Sequence, residues 1–582
     1  MHQSLPRSLF AVLLAVFASA ALCARAQDEH LLRNFALQHP AERIDQLIVR
    51  FKDEPGAGRR GPMAYDRARA LSVRAGMQIT PLRPMAGGAH VVSLPHAMSL
   101  EEAEQVAAII ATDSNVLYAQ ADRRRYPLRV ATDPAFFLQW YLSEPAGGIN
   151  ATRAWDITTG SSSVVVAVID TGVLPANPDL NGRLASGYSF VSPNNTTDSS
   201  NATFSVFGPF ATANDGDGRD SDPSDPGDWI SASEAGNPPF VECPSATDST
   251  WHGTHVAGLI GAAANNGFGI AGVDWNARLL PVRALGKCGG TISDIVDGMY
   301  WAAGFHVNGV PDNPTANLAN VINLSLGGPG PCTAPEQQAI TDILGTSNVR
   351  AIVTSAGNKG DTGEDASQNA PGNCVGVINV GATTRSGSKA SYSDSGTAVT
   401  ISAPGGFISP TDPTDTGVNG ILATTNCGKT SPVPSALAST CPDPRDTPQP
   451  FVGFFFAGTS SAAPQVSGVI SLMLAANRTL SSTDVRNILR TTARAFPDST
   501  CSTTTCGAGI VDAGAAVQRA ATLSGGISMP PPMSGGDGGG GGGGGGGCTT
   551  GGGAADPGLP LLALLALAGL HRRRTANGST GR

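Results

Sequence analysis

The sequence predicts an α/β protein with a mostly parallel central sheet, preceded by a small α+β unit. Three observations carry that prediction. Five short runs are β-branched and apolar on both faces: residues 164–170 (VVVAVID), 278–285 (RLLPVRAL), 319–326 (ANVINLSL), 348–356 (NVRAIVTSA) and 376–383 (GVINVGAT). Strands of that composition belong in a sheet covered by helices on both sides, and the helix-like stretches between them suggest βαβ units. The composition agrees: of 582 residues 73 are glycine, 41 % are apolar and only 14 % are charged, which suits a loop-rich α/β enzyme and not a coiled coil. A net charge of −9 argues against nucleic acid or an anionic membrane surface as partner.

In chain order, Arg7 precedes an apolar run over residues 9–22, followed by Ala24-Arg25-Ala26. This is the pattern of a secretory signal peptide, residues 1–26. Residues 27–130 form the next unit. They contain an extended QLIVRF (46–51), a helix-like SLEEAEQVAAIIA (99–111) and a strand-like NVLYAQAD (115–122). Ser99 followed by Glu102 reads as a capping box for that helix. The unit ends near Arg123-Arg124-Arg125. Residues 131–523 hold the five buried runs, and in open sheets of this kind the site lies at the carboxyl ends of the strands.

Three stretches place chemistry at those ends. Asp170 closes the first run, where an unpaired buried carboxylate would be costly and so needs a partner. His252 opens WHGTHVAGLIGA (251–262), a small-residue helix able to lie close to a neighbour. Ser355-Ala356-Gly357-Asn358 ends a strand in a glycine turn that presents an amide. Downstream, GTSSAAPQVSG (458–468) swings into a buried helix with Ser460 at its mouth, where unpaired N–H groups and the helix dipole favour developing negative charge.

The chain order Asp170, His252, Ser460 is that of the subtilisins. The words IDTGV, HGTHVAG, INLSLGG, SAGN and GTSSAAPQVSG together resemble the subtilisin-like serine proteases over some 390 residues. The resemblance implies a three-layer subtilisin-like fold and a secreted serine endopeptidase acting on protein and peptide substrates. It makes Asp170 the residue that orients His252, His252 the base, Ser460 the nucleophile and Asn358 an oxyanion donor. It further implies that Ser325, Leu326, Gly327 and Gly328, with Ala356 and Gly357, bind substrate, Ser325-Leu326-Gly327 pairing with it as an extra strand. His255 has no catalytic counterpart in the pattern. Residues 27–130 resemble the inhibitory propeptides of that family, cut between Arg125 and Ala131, so the chain's own propeptide is expected as an intramolecular inhibitor of a monomeric enzyme. No carboxylate occurs in the words expected to line the pocket for the residue before the scissile bond, which leads to an expectation of an apolar residue there. The alternative is a catalytically silent homologue that binds surfaces. An α/β-hydrolase would show G-x-S-x-G, whereas residues 458–462 read GTSSA.

Asp170 and His252 lie 82 residues apart. The interval contains DGDGRDSDPSDPGDW (215–229), in which Asp215, Asp217, Asp220, Asp222, Asp225 and Asp228 offer hard oxygens suited to a structural Ca²⁺. Export makes the cysteines readable as disulfides. Apart from Cys23 and Cys548 there are eight, expected to pair with their neighbours: Cys243–Cys288, Cys332–Cys374, Cys427–Cys441 and Cys501–Cys506. Residues 524–553 are a Pro/Gly-rich linker containing ten consecutive glycines. Residues 554–582 carry an apolar run of 12 residues (559–570) followed by Arg572-Arg573-Arg574. This is short of the ~20 residues of a confident span. It resembles the C-terminal sorting signals of Gram-negative exported proteins, which would engage the membrane only before processing; a retained anchor is the alternative.

Overall fold

The computed structural model describes residues 43–52, 62–123, 130–194, 207–409, 418–434 and 452–523. The expected signal peptide, linker and C-terminal segment lie outside the described residues, as do Cys441 and most of the stretch where propeptide cleavage is expected.

The N-terminal part is a four-stranded antiparallel sheet, in the order β2-β3-β1-β4. Its strands are β1 (Arg43–Phe51), β2 (Thr80–Pro84), β3 (Ala89–Ser99) and β4 (Val116–Ala121). Two helices, Tyr65–Ala75 and Leu100–Ala111, complete it. Leu47, Val49, Val92, Val106 and Ile110 share a core of their own. The capping box forms: the Ser99 N–H donates to Glu102 Oε2 at 2.8 Å, and the Glu102 N–H donates to Ser99 Oγ at 3.2 Å. The Tyr65–Ala75 helix and β2 bury too few residues to show a period, and the four consecutive buried residues that open β3 lack strand alternation.

The main sheet has seven strands in the order β13-β12-β10-β8-β5-β7-β6, every pairing parallel. Its members are β5 (Val165–Asp170), β6 (Tyr188–Ser189), β7 (Arg278–Arg283), β8 (Val321–Leu324), β10 (Ala351–Ser355), β12 (Ile378–Thr383) and β13 (Ile401–Pro404), while β9 (Gly328–Pro329) and β11 (Asn369–Ala370) pair with each other apart from it. The five runs read from the sequence are the inner five strands; the two edge strands are too short to signal themselves. The pleat divides each strand between two cores. Val166, Val168, Val321 and Val353 pack with the Thr459–Ala476 helix on one face. Val165, Ala167, Ile169, Ile322 and Ile352 meet the Ile292–Ala303 and Ala334–Thr346 helices on the other. The result is the expected three-layer fold.

Three strands of a parallel sheet therefore end side by side. Asp170 terminates β5, Ser325 follows β8 and Ser355 terminates β10. The disulfides Cys243–Cys288, Cys332–Cys374 and Cys501–Cys506 form as expected. Among the described residues no helix is long and apolar enough to cross a membrane.

Candidate active site

The His252–Gly261 helix starts at the histidine itself, its N-cap Trp251 being left-handed at φ 54°. A Cβ on Gly253 would stand 2.0 Å from the Gly172 carbonyl oxygen. Only glycine lets the head of this helix lie against the turn that follows Asp170, which is why a small residue follows the imidazole.

Asp170 is fully buried. Its Oδ1 accepts the Thr171 N–H at 2.8 Å and lies 2.8 Å from His252 Nδ1. That bond fixes the imidazole tautomer: Nδ1 carries a proton toward the carboxylate and Nε2 is left to act as a base. Burial works against a charged imidazole, but Asp170, and beyond it Asp228 and Asp225, outweigh burial and hold the His252 pKa above the ordinary histidine value. His255 behaves oppositely. Its Nε2 lies 2.8 Å from Thr425 Oγ1 and its ring stacks on Phe456 with centroids 3.5 Å apart. Burial, and then neighbouring His252, push its pKa well below the ordinary value. It is a neutral packing residue.

Ser460 is the second residue of the Thr459–Ala476 helix, which packs against the His252 helix, β8 and β10. Asn358 is oriented by its neighbour: its Oδ1 accepts the Thr459 N–H at 2.8 Å and the Thr459 hydroxyl at 2.9 Å. A backbone N–H demands an acceptor, so the other end of the amide is the donor. A Cβ on Gly458 would stand 3.7 Å from both Asn358 Nδ2 and the Ser460 nitrogen. Two donors thus converge beside the serine, the arrangement that stabilises an oxyanion.

Leu326 to Gly328 and Ala356 to Gly357 run beside one another. Ser355 Oγ donates to the Leu326 carbonyl at 3.3 Å, and Gly328 pairs with Ala370. Between the two segments sits Asn369, whose Nδ2 donates to the Ser355 carbonyl. Behind Gly357 the structure places a group the sequence reading missed. A Cβ there would stand 2.0 Å from Asp394 Oδ2, while Asp394 Oδ1 accepts the Lys359 N–H at 2.7 Å. The substrate-binding words themselves contain no carboxylate; Asp394 reaches Gly357 from a loop 37 residues further on.

No three of the six aspartates bring carboxylate oxygens within 4.8 Å of one another. Among the described residues, the one group of three potential ligand atoms within 4.8 Å is Cys332, Glu336 and Cys374, and its two sulfurs are bonded to each other. Of the six aspartates, Asp215 pairs with buried Arg283. Asp225 accepts the Thr171 hydroxyl at 2.7 Å, and Thr171 Oγ1 accepts the Gly253 N–H at 3.0 Å. Asp228 accepts the Thr250 N–H at 2.6 Å and its hydroxyl at 2.7 Å. Asp225 and Asp228 therefore fasten the chain on both sides of His252, and sequence spacing offered no sign of it. Burial raises the Asp225 pKa to about 7.

Comparison with known proteins bears directly on this geometry. Residues 161–513 match the family described as the subtilase family (peptidase S8). The chain is 40 % identical over 456 residues to an extracellular protease of Xanthomonas campestris pv. campestris, covering 78 % of this chain and 68 % of that one. It is 36 % identical over 517 residues to an extracellular basic protease of Dichelobacter nodosus, covering 87 % and 76 %. Among solved structures, a protease of Pseudoalteromonas arctica aligns with a TM-score of 0.56 and 41 % identity, over 67 % of this chain and all of that one.

Proposed function

We propose, from the premise that the chain belongs to the subtilase family and is a subtilisin-like serine endopeptidase, that it is exported as a zymogen and cleaves proteins through Asp170, His252 and Ser460. The observation that carries this reading is the 2.8 Å contact between Asp170 and His252 Nδ1, at the carboxyl end of β5 and beside the end of β8, where Ser325 binds the Ser460 carbonyl.

In the reaction His252 Nε2 takes the Ser460 hydroxyl proton as Oγ attacks the scissile carbonyl carbon. The resulting oxyanion accepts from Asn358 Nδ2 and the Ser460 N–H. Collapse breaks the C–N bond, His252 delivers its proton to the leaving amine, and a water activated by the same imidazole releases the acyl group. Asp170 stabilises the imidazolium throughout. Ser325, Leu326 and Gly327 pair with the extended substrate, with Gly328, Ala356 and Gly357 completing the walls around its side chain.

Residues 1–26 act as the signal peptide, 27–130 as the inhibitory propeptide, 131–523 as the catalytic domain, and 524–553 as a linker to a sorting segment at 554–582. The product is a monomer released outside a Gram-negative cell. Calcium is supported by part of the acidic loop only. Burial, and then the carboxylates of Asp217 and Asp215, raise the Asp220 pKa, a crowding that a divalent cation would relieve. Asp217, Asp220 and Asp222 are therefore the ligands to test, while Asp225 and Asp228 serve His252.

The test compares export and processing of wild type with Ser460→Ala by intact mass and by hydrolysis of a denatured protein. Wild type is expected to lose residues up to about 130 and to cleave substrate, and the variant to do neither. Identical maturation of both, with no hydrolysis by either, would return the silent surface-binding homologue.

A further inference from the structure

The Ser460 helix carries a proline at Pro464, four residues after the serine. In an uninterrupted helix the Ser460 carbonyl would accept the N–H of residue 464. Proline has none, and its ring crowds the carbonyl one turn back. The Ser460 carbonyl instead accepts from the Ser325 hydroxyl at 3.0 Å.

That hydroxyl is itself held. Asn323 Nδ2 donates to Ser325 Oγ at 2.9 Å, and Asn323 Oδ1 accepts the Ser467 hydroxyl at 2.8 Å. Ser467 stands on the Ser460 helix, two turns along. The relay leaves that helix at Ser467, crosses to β8 and returns to the helix at Ser460. Asn323 and Ser467 are fully buried and Ser325 is 2 % exposed. Asn323 interrupts an otherwise apolar strand, Val-Ile-Asn-Leu. An amide there would be out of place in a core that needed only packing, since a buried polar group must find partners. The direction of every bond follows from the donor inventory: the Ser325 proton is committed to Ser460, so its oxygen receives from Asn323, which turns the amide oxygen toward Ser467.

We propose that Asn323, Ser325 and Ser467 are positioning residues that seat the backbone of Ser460 against the substrate-pairing segment, the Ser325 hydroxyl standing in for the N–H that Pro464 lacks. The proposal rests on the reading of Ser460 as nucleophile. The Ser325 backbone opens the segment that pairs with substrate, while its side chain holds the attacking residue. One residue thus sets both partners of the reaction, and a displacement of about 1 Å between them is enough to cost roughly 100-fold in rate.

The experiment uses the mature enzyme and the variants Ser325→Ala, Ser325→Thr, Asn323→Ala, Ser467→Ala and Ser325→Ala/Asn323→Ala. Active sites are counted by covalent labelling with a fluorophosphonate, and melting temperatures are recorded alongside. Per labelled site, Ser325→Ala and Asn323→Ala are expected to lower kcat and the labelling rate together, by roughly 10- to 100-fold, with KM within about twofold. Ser325→Thr restores most of the loss, and the double variant is no worse than the poorer single one. A KM effect alone, or unchanged kcat and labelling rate despite a lower melting temperature, overturns the proposal. Should Asn323→Ala not accumulate, Ser467→Ala and Ser325→Ala are judged by the same criteria. Ser460→Ala run in parallel separates the two readings: if it still hydrolyses substrate and still takes the label, the nucleophile assignment is what has failed.

Discussion

The two halves of the catalytic edge are held in place by different physics. Around His252 the fastening groups are ionisable. Asp170 contacts the ring, Asp225 reaches Gly253 through Thr171, and Asp228 binds Thr250. Around Ser460 they are neutral: Asn358 and Thr459 on one side, and the Ser325–Asn323–Ser467 relay on the other. The difference matches what each group must do. In the proposed reaction the imidazole gains a charge, and nearby carboxylates favour that charge. The serine must remain neutral until its proton leaves, and a fixed anion beside it would oppose the oxyanion that follows. Hydroxyl and amide dipoles orient without adding net charge.

The comparison breaks most severely if either centre proves dispensable. Ser460→Ala is expected to lower kcat by about a million-fold, the scale measured for loss of this nucleophile in a subtilisin. Asp170→Asn should cost about 10,000-fold, because an amide no longer holds the productive tautomer. Pre-steady-state assays on a chromogenic peptide check both. On the neutral side, Asn358→Leu should reduce kcat by about 100- to 1,000-fold with little change in KM, equivalent to ~2.7–4 kcal/mol of transition-state stabilisation. An effect confined to KM would mean that the amide meets the substrate and not the oxyanion.

The charged side makes a sharper prediction in pH. The base must be neutral to act, and its pKa is raised, so activity should fall with acid through a midpoint above the ordinary histidine value of about 6.5. Asp228→Asn removes one of the carboxylates that oppose burial, and the acid limb of kcat/KM should move down, while Ser325→Ala leaves its position unchanged. His255 bears on stability with its own sign. Its folded pKa is depressed, so the stability it contributes is present above about 6.5 and is lost as pH falls below it, where only the unfolded chain takes up the proton readily. His255→Phe should flatten that part of a melting-temperature profile.

Smaller effects separate geometry from charge. Gly253→Ala drives a methyl toward the Gly172 carbonyl and should destabilise the protein by roughly 1–3 kcal/mol. It should also lower activity by shifting the imidazole while leaving the Asn358–Thr459 bonds intact. A chelator should lower the melting temperature modestly if calcium sits among Asp217, Asp220 and Asp222, and Asp217→Asn should make the protein insensitive to it.

The sequence by itself determined the strands and the identity of the chemistry. Five short runs apolar on both faces fit a parallel sheet covered by helices, and Asp170, His252, Asn358 and Ser460 lie in short words that identify the chemistry by their combination and their order along the chain. It also signalled the Ser99 capping box, and the expectation of neighbour pairing met three disulfides in the structure. What it could not determine was how residues far apart share a small volume. The acidic run read as a metal loop, because spacing shows only that oxygens are available. The fold spends Asp225 and Asp228 on the chain beside His252 and Asp215 on Arg283, contacts that span 22 to 68 residues. Asp394 behind Gly357 and the relay from Ser467 through Asn323 were hidden for the same reason. Neither has a period or a motif, since each exists only once the ends of parallel strands are brought side by side, and that is a property of the tertiary structure.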